Sequence, residues 1–231
     1  MDTRKVAVIT GASQGIGAGL VEGYLDLGYA VIANSRSIAP RDDDSLVTVA
    51  GDISDPEVAD RIIATALDRF GRVDALVNNA GIFIAKPFTD YSPEDFGTAV
   101  AINLGGFFHI TQRAIARMAD QGSGHVVNVS TSLVDHPDRE RPSALAVLTK
   151  GGLEAATRAL AIEYAPRGLR VNAVSLGVIK TPAHDPESYA GMETLNPLGR
   201  LGEVGDVAAG ILYLERATFV TGTILHIDGG R

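Results

Sequence analysis

Residues able to do chemistry gather at a few places along the chain. Thr10-Gly11-Ala12-Ser13-Gln14-Gly15-Ile16-Gly17 follows an apolar run, Lys5-Val6-Ala7-Val8-Ile9, and precedes a helical pattern. Glycines at 11, 15 and 17 let backbone approach a pyrophosphate, and the N-terminus of the next helix favours its negative charge. Ser13, Gln14 and Ile16 complete that turn. A second group, Ser130-Thr131-Ser132, closes another apolar run with three hydroxyls but lacks the nucleophile-elbow pattern of a hydrolase. Beyond it lies a polar run, Asp135-His136-Pro137-Asp138-Arg139-Glu140-Arg141. There the His136 imidazole is suited to proton exchange near neutral pH. His109, His125, His184 and His226 share no metal-ligand spacing, so no metal site is expected.

Alternating strands and helices must position these groups. Short apolar runs at 5–10, 29–34, 46–50, 73–78, 125–130, 169–175 and 222–227 predict buried strands. Helical patterns lie between them. In 56–70, Val58, Ile62, Ile63, Leu67 and Phe70 share one face, and Pro56 suits a first turn. Ser92-Pro93-Glu94-Asp95 predicts a capped start for a helix over 93–118, with further helices at 143–165 and 203–216. This order implies an α/β fold: one Rossmann-type, doubly wound parallel sheet of about seven strands with helices on both faces. The Pro- and Gly-rich stretch 181–202 is irregular and lies where a substrate loop would close over the carboxyl ends of the strands.

Composition narrows the choices. A chain of 231 residues with 45% hydrophobic and 21% charged residues suits a single globular domain, 1–231. A net charge of −8 argues against a nucleic-acid surface, and no apolar run is long enough for a membrane span. The absence of cysteine removes disulfides, thiolate metal sites and thiol nucleophiles, and agrees with a cytoplasmic location.

The opening turn, Asn78-Asn79-Ala80-Gly81, Asn103, Asp52-Ile53, Lys150, Pro197-Leu198-Gly199-Arg200 and Asp228-Gly229-Gly230 occur in an order that resembles the short-chain dehydrogenase/reductase family over essentially the whole chain. The resemblance implies roles. Gly11, Gly15 and Gly17 shape the pyrophosphate turn, and Asp52 and Ile53 hold the adenine. Asn79, Ala80 and Gly81 support the central sheet and line the ribose. Lys150 binds the nicotinamide ribose, and Gly177, Val178, Ile179 and Thr181 flank the carboxamide and nearby phosphate. It also implies a homo-oligomer, a dimer or tetramer, joined through the helices at 93–118 and 143–165. Cofactor choice is read after the second strand, where Ser35-Arg36 offers a guanidinium to a 2′-phosphate instead of a carboxylate to a ribose hydroxyl. That favours NADP over NAD, unless the acids Asp42-Asp43-Asp44 face the same phosphate.

One part of the family's apparatus is missing. The resemblance places a proton-transferring tyrosine four residues before the lysine, and this chain has Ala146 there; the enoyl-reductase spacing lands on Ser143. Asn103 and Lys150 fit the remaining pattern, with Thr131 at the serine position and Ser132 as the alternative. Three readings follow. A replacement donor acts, with His136 first and Asp135 or water next. Alternatively the substrate, a cyclic imine or an activated alkene, needs no donor at the hydride step. Or the protein binds NADP as a catalytically inactive sensor or scaffold. The favoured function is NADP(H)-dependent hydride transfer to a small organic substrate.

Overall fold

A computed structural model describes residues 4–182, 191, 193 and 196–231. Among them are seven strands: β1 (Val6–Thr10), β2 (Ala30–Ser35), β3 (Leu46–Ala50), β4 (Ala75–Asn78), β5 (Gly124–Thr131), β6 (Leu169–Leu176) and β7 (Ile224–Ile227). They form one parallel sheet in the order β3-β2-β1-β4-β5-β6-β7. The chain runs outward from β1 to β3, then returns to the other side of β1 with β4. That reversal opens a crevice beyond the carboxyl ends of β1 and β4, as the doubly wound expectation requires.

Strand periodicity builds two cores. In β1, Val6 and Val8 face one layer while Ala7 and Ile9 face the other. The first layer is completed by α2 (Pro56–Phe70), α4 (Phe107–Gln121) and α5 (Ala144–Tyr164). The second holds α1 (Gly15–Asp26) and α6 (Val204–Arg216). Helix ends follow local chemistry. Asp55 accepts from Glu57 N at 2.9 Å ahead of Pro56, and Gly71 closes α2 in the left-handed region at φ 78°. Ser92 and Asp95 form the reciprocal cap of α3 (Pro93–Ala99).

The helix expected at 93–118 is not continuous. Val100–Gly106 is π-helical, so α3 and α4 are separate, and α4 continues to Gln121. The wider turn carries Asn103, whose Oδ1 accepts from Ile82 N at 2.9 Å while Nδ2 donates to Ile82 O at 3.1 Å. Gly106 lets this segment close on Ile53; a Cβ there would lie 2.7 Å from Ile53 Cγ2. Among the described residues no helix is long and apolar enough to cross a membrane. Much of the stretch 181–202 (183–190, 192, 194 and 195) lies outside the described residues, and the expected substrate loop with it, His184 included.

A buried polar cluster ties the amino end of the sheet to the helices. Glu215 bonds His125 Nδ1 at 2.8 Å and accepts from Tyr29 at 2.8 Å and Tyr24 at 3.3 Å. Asn172 Nδ2 lies 3.0 Å from His125 Nε2. Burial pushes the Glu215 carboxyl up, but His125, Tyr29 and Arg170 together hold it below its usual value. A Glu215→Ala variant leaves three buried polar groups without their partner. Its unfolding free energy should fall by about 3 kcal/mol or more, measured as a lower urea midpoint at unchanged slope.

Candidate active site

The crevice at the reversal point is a cleft of about 400 Å³. Its walls include Gly11, Ser13, Gln14, Gly15, Ile16 and Gly17 from the first turn, Arg36 and Asp52-Ile53 from the strand ends, and Asn79, Ala80, Gly81 and Thr181. The local geometry explains the glycines. Gly11 has φ 67°, and a Cβ on it would stand 2.9 Å from Ala80 Cα. A Cβ at Gly17 would run into the Gly11 carbonyl oxygen. Asn79 locks the approach, donating from Nδ2 to Thr10 O at 3.0 Å and Gly11 O at 3.1 Å. Thr10 Oγ1 accepts from Asn79 N and Ala80 N at 3.1 and 3.0 Å. Backbone is therefore open to a phosphate at the N-terminus of α1, and the residues present fit a dinucleotide.

At the outer end of the cleft, Arg36 is exposed just past β2. Asp52 accepts from Ser54 N at 3.0 Å and Ser54 Oγ at 2.8 Å. The Ser54 amide, aided by the Ser54 hydroxyl and the Arg36 charge, holds the Asp52 carboxyl below its usual value. Asp42 and Asp43 are engaged away from the cleft: Asp42 pairs with Arg69 at 2.6 Å, and Asp43 pairs with Arg41 at 2.7 Å. None of residues 42–44 lines the cleft.

The cleft continues into a second cavity of about 690 Å³, and the two share Ile16, Asn79, Gly81, Ile82 and Thr181. This cavity brings together Thr131, Ser132, Lys150, Gly177, Val178 and Ile179. Thr131 is the last residue of β5, and Ser132 opens the following 3₁₀ turn. Lys150 Nζ donates to Val129 O at 2.8 Å. It also crosses close above Gly81, where a Cβ would lie 2.9 Å from Nζ. Burial lowers the Lys150 ammonium to about 8. Asn103 does not reach the cavity; its amide is held by Ile82 and by Thr149 Oγ1 at 3.1 Å, buried under the Gly81 wall.

The polar run after β5 departs from expectation. His136 is exposed and does not line the cavity; its backbone N–H bonds Ser132 O at 2.8 Å in the turn that follows β5. Asp135 lies 3.8 Å from His226 instead. Neither His136 nor Asp135 lines the cavity. Ala146 is buried at 3% exposure, and its methyl does not form part of the wall. Two features escaped the sequence. Arg141 and Arg231 line the cavity although they are far apart along the chain. Ser130 Oγ donates at 2.7 Å to the buried carboxylate of Glu154, one helical turn beyond Lys150; a lone acid on an otherwise inward face was the available signal.

Comparison with known proteins agrees with this geometry. Residues 11–231 match the family model described as enoyl-(acyl carrier protein) reductase. The chain is 36% identical to 3beta-hydroxysteroid dehydrogenase 1 of Eggerthella lenta, covering 98% of this chain and 93% of that protein. It is 34% identical to the 3-oxoacyl-(acyl-carrier-protein) reductase FabG of Thermotoga maritima, covering 98% and 97%. Among solved structures it superposes on ElxO with NADP bound, with a TM-score of 0.90 and 30% identity over 98% of each chain.

The cradle has a direct test. Gly17→Ala forces the first turn away from Gly11 and should weaken NADPH binding about tenfold or more, measured by fluorescence titration. Gly97→Ala, where a Cβ meets nothing within 4 Å, should leave the affinity unchanged.

Proposed function

The chain belongs to the short-chain dehydrogenase/reductase family, and we propose that it is an NADP(H)-dependent oxidoreductase that reduces a carbonyl or a carbonyl-conjugated alkene without a tyrosine acid. The observation that carries this reading is the position of Lys150 Nζ. It lies against Gly81, the wall common to the dinucleotide cleft and the substrate-side cavity, and among the described residues no phenol lines that cavity.

When bound, the cofactor supplies or accepts hydride. The residues of this chain deal with the charge left on the substrate. Lys150 spends one N–H on Val129 O and has two more to offer. An ammonium lowered to about 8 can both stabilise a developing oxyanion and pass it a proton. The hydroxyl of Thr131, or of Ser132 beside it, provides a neutral second donor at the same cavity wall. A positively charged iminium fits less well, since the Lys150 cation would oppose it. That sets the imine, attractive when only the missing tyrosine is considered, below the carbonyl and alkene. Arg36 at the rim of the cleft supports NADP as the partner, as does the NADP carried by a relative of the same fold. The exposed apolar residues Phe108, Leu148 and Ile162 support a homo-oligomer, and the cysteine-free composition supports a cytoplasmic location.

NADPH consumption with a matched ketone, conjugated enone and cyclic imine tests the reaction after a fluorescence titration establishes binding. The ketone or enone should turn over faster than the imine. Lys150 acts here while protonated, so kcat/KM should be flat at neutral pH and fall as pH rises through about 8. Lys150→Met should remove that alkaline limb and cost about a hundredfold in turnover. Turnover of the imine alone would overturn the role of Lys150, and tight binding with no turnover would favour a sensor or scaffold. Separately, Arg36→Leu should weaken NADPH about tenfold while sparing NADH, read by the same titration.

A further inference from the structure

The substrate-side cavity carries a strong charge asymmetry. Three cationic side chains line it, Lys150, Arg141 and Arg231, and no Asp or Glu side chain does among the described residues. The two arginines come from opposite parts of the fold, one just ahead of α5 and the other beyond β7. Asp138 stands behind them. Its carboxylate meets Arg231 Nη2 at 2.6 Å and accepts from Glu140 N at 2.9 Å, with the two paired side chains only 12% and 17% exposed. The Glu140 amide and both arginines keep the Asp138 carboxyl below its usual value, so it remains an anion and fixes one guanidinium in place. That bond takes one of the five N–H donors of Arg231. The Arg141 guanidinium has no hydrogen bond or ion pair to any described residue. The remaining wall is largely apolar, with Phe83, Leu133 and Leu176 prominent.

We infer that this cavity recognises an organic anion: a carboxylate on an apolar body, with the carboxylate held by Arg141 and Arg231 and the body against Phe83, Leu133 and Leu176. A planar guanidinium pair suits a carboxylate, because each can present two parallel N–H groups to it. Arg141 spends no guanidinium N–H on a described residue and so keeps that capacity available. Asp138 serves as a positioning residue, orienting Arg231 without touching the ligand. The inference uses the hydride-transfer reading only to say which end of the substrate points to Lys150; the anion subsite itself does not depend on turnover.

Calorimetric titration of the NADP-saturated protein with 4-phenylbutyrate and with 4-phenylbutanol tests it. The acid should bind about tenfold or more tightly than the alcohol, and the difference should shrink as salt is raised. Arg141→Met should abolish the preference while leaving NADPH affinity and the thermal midpoint unchanged. Arg141→Lys should retain part of it. Equal binding of acid and alcohol, failure of the acid to bind, or an undiminished preference in Arg141→Met would each overturn the proposal. If no substrate class is turned over and the preference for the acid persists, the oxidoreductase reading fails and the anion site stands.

Discussion

The contact between the loops that leave β1 and β4 governs the molecule. Asn79 and Thr10 bind each other's backbone in both directions, and Gly11 brings the two chains together where a side chain would hold them apart. Strand order reverses at this point, so the helical layers diverge around it and leave a crevice. The same loops form the wall between the dinucleotide cleft and the substrate-side cavity. One small set of hydrogen bonds thus sets the closeness of two ligands that must react across it.

Polar burial is concentrated where the sheet needs to be held. At its amino end Glu215 joins a histidine and two tyrosines. Nearer the site, Asn78 bonds both Thr111 and Asn128, and Asn128 reaches Thr157, which links β4, β5, α4 and α5. These groups are satisfied in pairs, so they add directionality to layers that hydrophobic burial alone would leave free to slide. Electrostatics divides in the same way. The chain as a whole carries a charge of −8, while the charged side chains that line the substrate-side cavity are, among the described residues, all cations. Field lines in a low-dielectric pocket follow the local charges, so an acidic protein can still attract anions into one place.

What the sequence revealed depended on the range of the interaction. The first turn, the helix start at Pro56, the cap at Ser92, the seven strands and the double winding were all legible, because each rests on neighbours a few residues apart or on a simple period. The π-helical segment was not, since the apolar pattern of 93–118 continues through it and only the bond from Asn103 to Ile82 marks the wider turn. His136 read as a candidate donor from its type and its place after β5, but the turn there leaves it exposed and out of the cavity lining. Asp42 and Asp43 read as rivals for the cofactor phosphate until Arg69 and Arg41 supplied their partners. Arg231 and Asp138 are separated by 93 residues and Glu215 and His125 by 90, and no local pattern announces contacts of that length.

The burial of Ala146 has a bearing on what the site can accommodate. With 3% of its surface exposed and no place in the cavity wall, it is enclosed by its neighbours. A larger side chain here would displace those neighbours, and forcing extra volume into a packed interior costs about 1–3 kcal/mol. Any side chain larger than alanine at residue 146 is thus a change to the packing around α5 as well as to that one position.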